Sequence, residues 1–71
     1  MVRDTIANNI RLLRAERKIS QTQLALQAGL SQAYIGKIEK GRGNVTVNVL
    51  DALSRALNVT PARLVTQILI D

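Results

Sequence analysis

The chain has no cysteine, histidine, tryptophan or phenylalanine, and only one tyrosine and one proline among its 71 residues. Without cysteine there is neither a disulfide nor a thiolate metal site, and without histidine the commonest general base and metal ligand is missing. Its five acids, Asp4, Glu16, Glu39, Asp51 and Asp71, are scattered, with no base, metal or cofactor motif beside them. An enzyme is therefore not expected, and neither is a cofactor or a bound metal. Tyr34 is the sole aromatic, so the stacking platforms that hold single-stranded nucleic acid are absent. No run approaches the roughly 20 apolar residues of a membrane span, and MVRDTIANN lacks a signal-peptide core. The expected location is the cytoplasm, with no membrane partner.

The length fits one small domain over residues 1–71, near the lower limit for a core without staples and with no room for a second, sensing domain. Leucine, isoleucine, valine and alanine must build that core, and their helical spacing predicts an all-α fold. Ten basic residues against five acids give a net charge of +5, which favours a polyanionic partner. Duplex DNA fits better than a single strand.

The stretch SQTQLALQAGLSQAYIGKIEKG, from Ser20 to Gly41, reads as two short helices meeting at a glycine turn. Ser20 caps a helix beginning at Gln21, with Gln23 placed to reach back in a capping box. Gly29 can take the left-handed conformation that ends it. Leu30 is suited to burial in the turn. Ser31 then caps a second helix from Gln32 to about Lys40, closed by Gly41. At about 100° per residue, Ile35 and Ile38 fall on one side of that helix, and Gln32, Ala33, Gly36, Lys37 and Lys40 on the other. The outward side is polar, basic and small, as base-edge reading in a major groove requires.

This segment resembles the helix-turn-helix of the phage-repressor and Cro-like family, also called xenobiotic-response-element-type regulators. The matching residues are Ser20, Gln21, Leu24, Ala25, Gly29, Leu30, Ile35, Ile38, Glu39 and Gly41, and the resemblance extends from about Ile6 to Leu64. It implies a five-helix, lambda-repressor-like DNA-binding domain with the helix-turn-helix at residues 21–40. The family's DNA-facing positions fall on Gln21, Ser31, Gln32, Ala33, Gly36 and Lys37. An arginine at the position of Arg14 pairs in the family with the glutamate of the Ile-Glu-x-Gly segment, here Glu39; the alternative is that both are simply solvated. Leu26 departs from the pattern, and either packs on a neighbouring helix or adds exposed apolar surface.

Base reading is expected from Gln32, which can pair bidentately with adenine, and from Lys37, which can donate to guanine; Ala33 offers a methyl contact. Gly36 costs roughly 1 kcal/mol of helix stability relative to alanine, consistent with close backbone approach or with a tolerant site. Gln21 can bond a phosphate or brace Gln32. Ser31 and Tyr34 lie beside the groove and are expected at phosphates, with packing the alternative for Tyr34. Arg11, Arg17 and Lys18 form a basic cluster before Ser20 that is either solvated or in reach of phosphate. The loop Lys40, Gly41, Arg42, Gly43, Asn44 is basic, its glycines suited to close approach. Lys40, Arg42 and Asn44 are expected at phosphates, with the minor groove as the alternative for Arg42.

Elsewhere the pattern is structural. Asp4 is expected to cap a first helix running to about Arg17 with Ile6, Ile10 and Leu13 on its apolar face. Thr46 caps a fourth helix carrying Val49, Leu50, Leu53, Ala56 and Leu57, with Asn58 as its left-handed stop. Thr60 and Pro61 open a fifth, expected over about residues 61–70, with Val59 stapled onto Leu64. Its Leu64, Val65, Ile68, Leu69 and Ile70 exceed what one small core absorbs. Family members commonly dimerise at this end, which makes Leu64, Val65, Ile68 and Leu69 the expected dimer interface; the alternative is that the helix merely covers the core.

The expectation is a sequence-specific regulator of transcription that binds duplex DNA as a homodimer on a two-fold operator. A short member of this kind resembles a Cro-like repressor or the controller protein of a restriction–modification system. Activation would also need an RNA polymerase contact. The alternative is an antitoxin-type interaction protein that binds a partner chain and autoregulates.

Overall fold

The computed structural model describes residues 2–67. Five helices follow one another: α1 (Val2–Arg17), α2 (Gln21–Ala28), α3 (Gln32–Glu39), α4 (Val47–Ala56) and α5 (Pro61–Val65). There is no strand among the described residues.

Four of the helices start in the same way. The side-chain oxygens of Ser20, Ser31, Thr46 and Thr60 accept from the backbone N–H groups of Gln23, Tyr34, Val49 and Arg63, each satisfying a donor that the first turn leaves free. At Ser20 the box is complete, because Gln23 accepts in return from the Ser20 N–H at 2.8 Å.

The first four helices also end alike. Lys18, Gly29, Gly41 and Asn58 all have positive φ. The next residue's N–H bonds back to Arg14, Ala25, Lys37 and Ser54 respectively, the Schellman arrangement. Three of these stops were expected. Lys18 is a fourth, without the glycine or asparagine that announces one.

Two expectations at the ends of the chain are corrected. Helix α1 begins by Val2, so Asp4 does not cap it but lies in its first turn, where a carboxylate is favoured by the helix N-terminus. Helix α5 is not a ten-residue element: it stops at Val65, and Thr66 is extended. Asn9, on α1 and nearly buried, explains the stop. Its amide nitrogen donates to the carbonyls of Arg63, Leu64 and Thr66 at 3.1, 2.8 and 3.0 Å, acceptors that a helix end otherwise leaves open.

The core is formed by Ile6, Ile10 and Leu13 of α1, Leu24 and Ala25 of α2, Ile35 and Ile38 of α3, Leu53 and Leu57 of α4 with its C-cap, and Leu64 of α5. Val49, Leu50, Ala56 and Val59 pack around it half-buried. Leu64 is therefore a core side chain with no surface left to offer a second copy, a correction to its expected place in a dimer interface. Helix α3 packs on α1 and α2, which leaves its opposite side open.

Candidate nucleic-acid interface

Helix α3 turns Ile35 and Ile38 into the core, and Gln32, Ala33 and Lys37 are exposed, with Gly36 half-buried between them. Lys37, Lys40 and Arg42 pair with no acid among the described residues. Three cations and a glutamine are thus exposed on α3 and the loop after it, the cations with no ion pair among the described residues. A polyanion is the natural counterpart of such a surface.

The C-terminal end of α3 is anchored through Glu39. Arg14 Nε lies 2.6 Å from Glu39 Oε2, and its Nη2 donates to Oε1 at 2.9 Å. The remaining Nη1 donates to the Ile19 carbonyl at 3.0 Å, so the same guanidinium holds the turn before α2. Gln21 Nε2 adds a bond to Glu39 Oε1 at 3.2 Å. Arg11 donates to the backbone carbonyl of Glu39 and to the Asn8 side chain. Three helices meet on one carboxylate.

Burial pushes the Glu39 carboxyl up, but the bonds from Arg14 and Gln21 and the charges of Arg14 and Arg11 outweigh it and hold the group below its ordinary value. Arg14 is raised in turn, chiefly by its bond to Glu39 and against the effect of burial.

The remaining expected contacts divide into free and engaged groups. Ser31 is exposed; its oxygen is occupied as the α3 cap while its O–H remains able to donate. Gln21 spends one amide hydrogen on Glu39 and keeps the second. Tyr34 is half-buried, and its hydroxyl donates to the Asn44 carbonyl, so in the free domain that proton faces the loop. Asn44 Oδ1 accepts from Arg3 Nη2 at 2.7 Å. Arg11 is committed to Glu39 and Asn8 rather than held open for phosphate.

The loop glycines have internal reasons. Gly41 has φ +74°, and a Cβ there would lie 2.8 Å from Asp4 Oδ1. A Cβ on Gly43 would meet the Ile38 side chain at 3.0 Å. The expectation that these glycines serve close phosphate approach is therefore not needed to explain them. Gly36 differs: nothing lies within 4 Å of the Cβ it lacks. Leu26 is 81% exposed, which resolves its two alternatives in favour of surface. Val65 is exposed beside the buried Leu64. Ile68 and Leu69 lie outside the described residues. Sequence reasoning missed Arg3 and Asn9, since nothing in the local pattern of α1 sets either apart from an ordinary polar helical residue.

The capped pair α2 and α3, joined at Gly29 and open along one side of α3, defines a helix-turn-helix protein. The chain belongs to the helix-turn-helix family, whose model matches residues 10–64, a family of DNA-binding transcriptional regulators that includes phage repressors and restriction–modification controllers. It is similar to control protein C.SmaI of Serratia marcescens, with 38% identity over 66 residues, 93% of this chain and 79% of that protein. It is likewise 38% identical over 61 residues to the immunity repressor protein of Bacillus phage phi105, covering 86% of this chain and 42% of the repressor. Among solved structures, the restriction–modification controller protein C.AhdI from Aeromonas hydrophila superposes with a TM-score of 0.84 at 32% identity, over 87% of this chain and 94% of that one. No helix among the described residues is long and apolar enough to cross a membrane.

Proposed function

We propose that the chain is one DNA-binding domain that acts in the cytoplasm as a homodimer, recognises a two-fold symmetric operator, and regulates transcription as a Cro-like repressor or a restriction–modification controller. The observation that carries this reading is the open side of α3, where Gln32, Ala33 and Lys37 are exposed and the neighbouring cations lack acidic partners. Gln32 pairs with adenine, Lys37 with guanine, Ala33 touches a thymine methyl, and Gly36 lets the helix sit deep. Lys40, Arg42 and Asn44 in the loop, with Ser31 and the spare hydrogen of Gln21, bind phosphates and set the register. The likeness to C.SmaI and C.AhdI supports the controller assignment, and that to the phi105 immunity repressor the repressor. Val65, with Ile68 and Leu69, supplies the contact between copies. Pairing there spaces two α3 helices about 34 Å apart, one turn of duplex.

Selection of bound duplexes from a random library at near-physiological salt tests the whole reading. Enrichment of a symmetric site with half-sites one turn apart is the expected result. A folded protein that enriches nothing would instead favour a partner-dependent, antitoxin-type protein that binds another chain through the fifth helix or through the 81% exposed Leu26.

A further inference from the structure

The loop that carries Lys40 and Arg42 is held at Asn44 from two helices. Tyr34 of α3 donates its hydroxyl proton to the Asn44 carbonyl. Arg3, in the first turn of α1, donates to Asn44 Oδ1 at 2.7 Å, across 41 positions of sequence. Asp4 Oδ1 closes over Gly41, so near that a Cβ there would stand 2.8 Å away. Asn44 therefore commits its carbonyl and its side-chain oxygen, leaving its amide N–H groups for a phosphate, and the anchors come from α1 and α3. Arg3 and Asn44 are both exposed, and Arg3 forms no ion pair with an acid among the described residues. A bond between exposed groups contributes little to folding. It has a clearer use in holding a glycine-containing segment in one conformation, because a cation that is already placed pays less ordering entropy when it meets a phosphate.

We propose that Arg3 is a positioning residue for DNA binding, acting through the Asn44 side chain to fix the Lys40–Asn44 loop in the conformation that presents Arg42 to the phosphate backbone. The inference rests on the proposed function and extends the interface to the start of α1, outside the helix-turn-helix. Holding Asn44 from α1 through Arg3 and from α3 through Tyr34 makes the geometry of the loop's C-terminal end a property of the whole fold.

Backbone contacts are largely independent of sequence, so a short mixed-sequence duplex at low salt serves as the probe. Affinity is measured for the wild type, Arg3→Met, Arg3→Lys, Asn44→Ala and the Arg3→Met/Asn44→Ala double variant, with the melting temperature of each. Arg3→Met should weaken binding by roughly three- to tenfold, the range of one lost hydrogen bond, at an unchanged melting temperature. Arg3→Lys, which can still donate to Asn44 Oδ1, should recover most of it. In the Asn44→Ala background Arg3→Met should have no further effect. The same loss in both backgrounds would overturn the proposal, since Arg3 would then act on DNA by itself; so would no loss in either. Wild-type protein that binds no duplex would remove both this inference and the proposed function, whereas tight binding indifferent to Arg3 removes only the inference.

Discussion

Arg14 meets Glu39 with two nitrogens, at 2.6 and 2.9 Å, and thereby ties the last turn of α1 to the last residue of α3. The carboxylate is 4% exposed, so its charge depends on that pairing. Replacing Glu39 with alanine leaves the Arg14 guanidinium without its anion and frees Gln21, and should cost on the order of 3 kcal/mol, read as a lower urea midpoint. The pairing also sets an acid limit. Because the folded-state value of Glu39 is lowered, its stabilising contribution is fully present above the ordinary carboxylate range and is lost as pH falls through the lowered value. Urea midpoints across that range should therefore decline less steeply in Glu39→Gln than in the wild type, and parallel curves would show that the acid limb belongs to other groups.

Gly36 separates stability from function. Nothing lies within 4 Å of the Cβ it lacks, and its backbone is helical, so alanine fits. In the free domain Gly36→Ala should raise stability by about 0.5–1 kcal/mol. If the glycine is there so that the helix can sit deep in the groove, the same variant should bind the selected operator more weakly. Greater stability with unchanged affinity would mark Gly36 as a tolerant position.

Lys37 and Arg42 should fail in different ways. Lys37→Ala should relax base preference at one operator position, at about 1–3 kcal/mol of discrimination, with other positions unaffected. Arg42→Ala should weaken every duplex similarly and lower the slope of log affinity against log salt by about 0.9. A sequence-selective loss at Arg42 would move that residue into the minor groove.

The helix boundaries show which signals are local. Ser20, Ser31, Thr46 and Thr60 were legible because a cap depends on its own side chain and an N–H three residues on. Gly29, Gly41 and Asn58 were legible because few residues take positive φ without strain. Lys18 does the same with no such mark; the turn around it is held by Arg14, which donates to the Ile19 carbonyl. Asp4 was misread because a first-turn acid and a capping acid carry the same signal. The end of α5 was illegible for another reason: the apolar run after Leu64 reads as helix, and the amide that halts it belongs to Asn9, at the other end of the sequence. At the candidate site, the exposed side of α3 followed from helical spacing alone, whereas the partners of Tyr34 and Asn44 required the fold.

The buried Leu64 and the exposed Val65 allow dimerisation to be tested without unfolding the domain. Leu64 is wholly enclosed, so a substitution there would cost about 2–5 kcal/mol, and any loss of dimer would be confounded with loss of fold. Val65, its neighbour on the last turn of α5, is 42% exposed, and an aspartate there meets solvent rather than core. Its charge near a helix C-terminus costs only about 0.3–1 kcal/mol, while at a contact between copies two such charges would face an apolar surface or each other. If the proposed dimer forms through α5, the wild type should sediment as a dimer and Val65→Asp should stay folded, sediment as a monomer at the same concentration, and lose the steep operator occupancy that two linked half-sites produce. Dimers that survive the substitution would place the contact on another surface, for which Leu26 and Val47, both more than four-fifths exposed, are the next positions to charge.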